Sequence, residues 1–320
     1  MKKSAAKKST SKKTASKRSA NENVGRDEVR ASLEEMMRMM AAQLGGGIVV
    51  GSDLDAMMTS FESPSPTNDL SEEEYDARYK AQDLAFAAME ARTNAEARRL
   101  AKKALKLDPD CVDALVTLND LDTHTTKDFI AGLEKAIAAG ERSLGAKFIR
   151  ENEGMFWQLI ETRPYMRALA QLGAQMASAG MSMDAIRVCE RMLELNPNDN
   201  QGVRDSLLGL YLAMADVAGA GKLLKQYKDD ATANASWGRT LERWMSGDRT
   251  KAKAELRKAM KANRFVAPFL TGEKAVPKQL PEMYSLGSVE EAMLCANNLG
   301  AAWAAQTEAR VWLREQTEKA

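Results

Sequence analysis

The chain has 320 residues, 44% hydrophobic and 28% charged, enough for one extended repeat array or two compact domains with a sizeable core. No run of about 20 apolar residues occurs, which argues against a spanning helix, and no apolar stretch with a cleavage site follows the basic N-terminus, so no secretory signal is expected. The net charge of +1 conceals an asymmetry. Residues 1–20 hold Lys2, Lys3, Lys7, Lys8, Lys12, Lys13, Lys17 and Arg18 and no acid, while the other residues carry 38 basic and 45 acidic side chains, a net −7.

In chain order, residues 1–24 are Lys, Ser, Thr and Ala with almost nothing to bury, a composition that predicts a disordered basic tail. Within 25–47, Val29, Leu33, Met36, Met37, Met40 and Leu44 fall on one helical stripe, and Gly45 to Gly47 close it, so an isolated amphipathic helix is expected over 27–44. Its methionines have two readings, a pliable binding surface or a face docked on the rest of the protein. Residues 48–70, with Ser63-Pro64-Ser65-Pro66, read as a linker. Helical pattern then runs from Ser71, which with Glu74 makes a capping-box start. Aromatics are only 6%, and Ala, Leu and Met dominate the apolar positions, which favours helix over strand. The expected breaks are Asp108-Pro109, Gly140, Gly180, Asn196-Pro197, Gly247 and Gly287-Ser288. No sustained alternation predicts a strand.

Three stretches share one layout. Residues 103–109 read Lys-Ala-Leu-Lys-Leu-Asp-Pro, 191–197 read Arg-Met-Leu-Glu-Leu-Asn-Pro, and 258–263 read Lys-Ala-Met-Lys-Ala-Asn. Each resembles the close of a tetratricopeptide repeat, a 34-residue pair of antiparallel helices with small residues near positions 8, 20 and 27 and a Pro near 32. A unit from Arg78 puts Ala85, Ala97 and Ala104 on the small positions. Continuing by 34 gives Ala131 and Ala138. A unit from Met166 gives Gly173 and Ala185, with Met192 in the third place. A weaker unit over 200–232 has Gly219, and a unit from Ala233 has Ala252 and Ala259. Pro109 and Pro197 are 88 residues apart, two units plus 20, and the surplus in 140–165 is expected to hold an extra helix.

The resemblance implies an all-α, tetratricopeptide-like superhelix of antiparallel helix pairs over 71–264, with a C-terminal helical cap over 265–320. A closer resemblance covers about 150–315. Asn196 to Gly202, Ala262 to Leu270, and Gly287 to Ala296 followed by Trp303 and Trp312 are similar to the suppressor of tumorigenicity 7 family. That likeness implies a repeat fold and protein association. Animal members resemble membrane proteins with apolar spans ahead of the repeats. A basic tail stands there in this chain, so membrane residence is not carried over.

In tetratricopeptide geometry, positions 2, 5, 9 and 12 line the concave face. Here they include Arg167, Arg204, Trp237, Leu241 and Trp244. These five are the candidate partner groove, Trp as apolar anchors and Arg reading acidic groups, with internal packing as the alternative. The clamp for chaperone tails wants a basic residue at 5 and Asn at 9. Gln82/Phe86, Val116/Asp120, Ala170/Ala174, Arg204/Leu208 and Trp237/Leu241 all fail it.

Chemistry is weakly represented. His124 is the single histidine and no cysteines have ligand spacing, so no metal or other cofactor is expected. Gly45-Gly46-Gly47 and Gly219-Ala220-Gly221 lack the Gly-Lys-Ser/Thr ending of a phosphate loop. An enzyme would need a site around Glu161, Arg163 and Tyr165. Cys111, Cys189 and Cys295 are odd in number and far apart, which argues for a reducing cytoplasm. The leading expectation is a non-catalytic scaffold holding a protein or peptide. The alternative is an adaptor tethered to nucleic acid or another polyanion through Lys2 to Arg18. Without an aromatic, that tail could neutralise phosphates but not stack bases.

Overall fold

The computed structural model describes residues 71–318. The described chain is all-α, with 14 helices, one 3-10 turn and no strand. In order they are α1 (Glu72–Met89), α2 (Asn94–Leu107), α3 (Val112–Asp122), α4 (Thr126–Leu144), α5 (Ala146–Glu151), the 3-10 turn Ile160–Thr162, α6 (Arg163–Ser178), α7 (Ser182–Leu195), α8 (Val203–Ala213), α9 (Val217–Gln226), α10 (Ala233–Met245), α11 (Arg249–Ala262), α12 (Ala267–Leu270), α13 (Val289–Ala305) and α14 (Thr307–Thr317).

Local sequence accounts for most ends. The Glu74 amide donates to Ser71 Oγ and the Ser71 amide to the Glu74 carboxylate, completing the capping box. Thr93, Thr125, Asp216, Thr232 and Asp248 cap five more helices through their side-chain oxygens. Pro109 and Pro197 follow α2 and α7 and stop them, as their missing amide and ring clash require. Gly140 behaves otherwise than expected. It lies inside α4, where a Cβ would press on Tyr165 and Val112, and α4 runs on to Gly145, whose φ of +79° ends it.

Five helix pairs stack as tetratricopeptide-like repeats: α1/α2, α3/α4, α6/α7, α8/α9 and α10/α11. The first helix of a pair packs on its own partner and on the preceding pair: α3 touches α1 and α2, α6 touches α3 and α4, and α10 touches α8 and α9. Small residues make these approaches. Ala85, Ala97 and Ala104 are buried in the first pair, and Gly173 admits Val188 and Cys189 in the third. Ala185, Ala252 and Ala259 are buried as well. In the second pair the phase is one residue late. Gly132 and Ala139, not Ala131 and Ala138, occupy the close-packed places. The cause is Asn119 at the facing position: its amide donates to the Phe129 carbonyl at 2.9 Å, and only a glycine at 132 leaves room for it.

The surplus between the second and third pairs forms α5 and the 3-10 turn. Phe148, Phe156 and Tyr165 stack edge to tilted at 6.1–6.5 Å and fill the gap between α4 and α6. The Phe156 amide donates to the Leu195 carbonyl and ties this plug to the end of α7.

The C-terminal cap departs from the stacking rule. A further repeat would set α13 on α10 and α11. Instead α13 crosses α8 and α10, the first helices of two successive pairs. Gly209 permits this: a Cβ there would overlap the backbone carbonyl of Asn298. Ser288 caps α13 through the Glu291 amide. The Glu291 carboxylate accepts from the amides of Gly287 and Ala233 and from Asn263 Nδ2, at 2.7–2.9 Å, and so joins the cap to the start of α10.

Candidate functional site

The first helices of the pairs present one common face along the array. In the N-terminal half no described residue covers this face. Tyr79, Gln82, Phe86 and Met89 lie within one narrow arc of α1, and Tyr79, Phe86 and Met89 are 62%, 45% and 54% exposed. The arc points toward α3 and α6. Gln82 Nε2 donates to Asp113 at 2.7 Å, and the Arg167 guanidinium pairs with the same carboxylate and lies 5.8 Å from the Phe86 ring. Asp113 is buried, so the bidentate contact from Arg167 compensates its desolvation. One turn further on, Gln171 donates to Asp120 at 3.0 Å. Burial pushes the Asp120 carboxyl above its ordinary range, and the bond from Gln171 opposes this. Ala170 and Ala174 of α6 keep the surface low. The result is a shallow trough, polar-floored and flanked by aromatic and thioether groups.

Of the five residues expected in the groove, Arg167 lies in this trough. Arg204 does not. It is held at 2.9 Å by Asp199 and at 2.7 Å by Asp230, beside the Tyr227 ring. Burial would lower its pKa, but the bonds to Asp230 and Asp199 outweigh it and raise it well above normal. Trp237 and Leu241 are fully buried, and neither presents surface to a partner. Trp237 meets Trp303 of α13 edge to face at 6.4 Å, and its indole N–H donates to the Asn263 carbonyl. Trp244 is half-buried against Trp312 of α14 at 4.7 Å and beneath the Arg249 guanidinium. The concave face of the last pairs is therefore filled by the protein's own C-terminal helices. Spacing places 237, 241 and 244 on that face; it carries no information about what covers it. Tyr79, Gln82, Phe86, Asp113, Asp120 and Gln171, which the positional reading did not put forward as candidates, share the face with Arg167.

No family model matches the chain, and no curated protein matches it. Among solved structures it is similar to the crystal structure of MamA protein, at 19% identity over 58% of this chain and 91% of that one, with a TM-score of 0.41. It is also similar to that of YrrB, a TPR protein with an unusual peptide-binding site, at 20% identity over 57% and 84%, with a TM-score of 0.40.

The groups considered for chemistry have structural occupations. Tyr165 is buried with its hydroxyl 3.3 Å from Glu141, and burial, then the Glu141 charge, push it up to about 12. Arg163 donates to the Trp157 carbonyl and lies 5.5 Å from that ring. The three cysteines are buried free thiols. Burial raises Cys111 and Cys189 to about 12 and Cys295 well above the ordinary thiol range, so all three stay neutral at pH 7. His124 is exposed in the connection between α3 and α4. Among the described residues no three His, Cys, Asp or Glu side chains converge as a metal site, and no helix is long and apolar enough to cross a membrane. Lys2, Lys3, Lys7, Lys8, Lys12, Lys13, Lys17 and Arg18, and the Met-rich segment 27–44, lie outside the described residues.

Proposed function

We propose that this protein is a non-catalytic interaction module whose partner, a protein or peptide, lies in the trough across α1, α3 and α6. The observation that carries this is the contrast between its two halves. Trp237 and Trp244 are covered by α13 and α14, whereas Tyr79, Phe86 and Met89 stand exposed on the equivalent face with nothing over them among the described residues. Exposed aromatics around a fixed Arg–carboxylate pair supply apolar anchors and a rigid polar register. Three unpaired, buried thiols suit a reducing compartment such as the cytoplasm.

The test is affinity purification of the tagged full chain from its own cells, beside a Tyr79→Ala/Phe86→Ala form with the same helical circular dichroism. Proteins recovered with the parent should be lost from the double variant. Equal recovery with both removes the trough as the site. A second reading, weak polyanion binding through Lys2 to Arg18, rests on the acid-free run of eight cations. Salt-sensitive retention on DNA that survives deletion of residues 1–24 would eliminate it.

A further inference from the structure

We propose that the outer face of α11 is a docking surface for a short acidic peptide segment of a partner protein. α11 is the second helix of the last pair. It packs on α10 and buries Ala252, Leu256 and Ala259. Lys253, Arg257 and Lys261 recur at i, i+4 and i+8 on the opposite side, and all three are exposed. At 1.5 Å per residue the strip runs for about 12 Å along the helix.

The strip is uncompensated. Residues 71–318 carry 34 basic and 36 acidic side chains, a net −2, yet of the 16 residues from Arg249 to Arg264 seven are basic and only Glu255 is acidic. Glu255 is engaged by Lys258 at 2.8 Å, and the capping Asp248 by Lys251 at 2.9 Å. Lys253, Arg257 and Lys261 make no ion pair and no side-chain hydrogen bond among the described residues. Two like-charged i, i+4 neighbours in succession work against the helix that carries them. α7, another second helix, shows the ordinary arrangement. There Arg187 pairs with Asp184 at 2.6 Å, and Arg191 pairs with Glu194 at 2.8 Å and with Glu153. On α11 the missing carboxylates have to come from another molecule.

Charge and shape select the class of anion. A long phosphate backbone would run past the strip onto a surface of net negative charge. An acidic segment of about four extended residues covers the strip and no more. Base stacking is also denied. Trp244, the aromatic residue at the start of α11, is stacked on Trp312 at 4.7 Å and lies 3.5 Å beneath the Arg249 guanidinium, so neither face is left for a base. Arg257 at the centre offers a planar fork to one carboxylate, and Lys253 and Lys261 offer point charges on either side.

The experiment is fluorescence anisotropy of labelled octaglutamate titrated with the full chain, its eight cations from Lys2 to Arg18 replaced by Gln so that the tail does not compete. Saturable binding is expected, weaker by roughly fivefold or more in Lys253→Gln/Arg257→Gln/Lys261→Gln. That triple changes exposed positions and relieves two like-charged pairs, so it should melt no lower than its parent. Lys127→Gln/Lys135→Gln/Lys147→Gln removes the same charge from scattered exposed positions of α4 and α5 and should leave affinity unchanged. No saturable binding, or equal weakening by both triples, overturns the proposal, the second because net charge alone then accounts for the attraction. Tighter binding of an oligothymidylate of equal charge, lost in the α11 triple, overturns it in favour of nucleic acid. None of these results bears on the trough across α1, α3 and α6.

Discussion

At the residue scale, two glycines of similar setting should respond in opposite ways to a single methyl group. Gly209 in α8 touches the Asn298 backbone, so Gly209→Ala must push α13 away and should lower stability by about 2 kcal/mol, read as the denaturation midpoint. Gly300 lies inside α13 with open space where a Cβ would stand, so Gly300→Ala should raise stability by up to about 1 kcal/mol through helix propensity. Asp205 supplies a pH test. Its carboxyl is raised in the folded state, so the folded chain binds the proton more tightly than the unfolded one. Stability from this group is present below the unfolded carboxylate range and is lost as pH rises toward 7. The parent should therefore lose about 4 kcal/mol relative to Asp205→Asn between pH 4 and pH 8. A constant difference across that range would show that Asp205 titrates normally.

At the scale of elements, the cap decides what the last repeats can do. Trp237 and Leu241 are buried in one cluster with Leu299, Ala302 and Trp303 of α13. Removing residues 286–320 strips that cover and takes Glu291 from the Ala233 amide. The shortened chain should bind a hydrophobic dye and elute as aggregate; a monomer with an unchanged melting curve would mean the face was never covered. Phe86→Ala should by contrast shift stability by no more than about 0.5 kcal/mol, since the ring is half-exposed and lies outside the buried core. The helices themselves were largely legible. Ser71 with Glu74, Pro109, Pro197 and the alanines of the first pair act locally, within one or two turns, and local signals survive in sequence. Gly140 was misread because a glycine inside a helix and one that ends it look alike until the partner, Tyr165, is known. The shift from Ala131 to Gly132 had the same origin: Asn119 sets it from another helix.

At the scale of the molecule, three cores succeed one another along the array. An alanine-rich one lies at α1 and α2, a second runs from α3 to α7, and a third joins α7 to α14. Cys111 belongs to the first core and Cys189 and Cys295 to the third, all buried. Native protein should resist a thiol reagent and react at three thiols in denaturant; prompt labelling of Cys111 alone would show that the first pair opens separately.

The sequence by itself determined the helices and their pairing, because periodicity, caps and small residues act between neighbours in the chain. Only the tertiary structure decided which part of the first helices' common face the C-terminal helices cover. Whether α13 continues the stack or lies across α8 and α10 depends on one close approach, Gly209 against Asn298, made by residues far apart in sequence, and no local pattern encodes it. The same long-range packing buries Trp237 and Leu241 and sets Arg167 against Asp113 and Phe86.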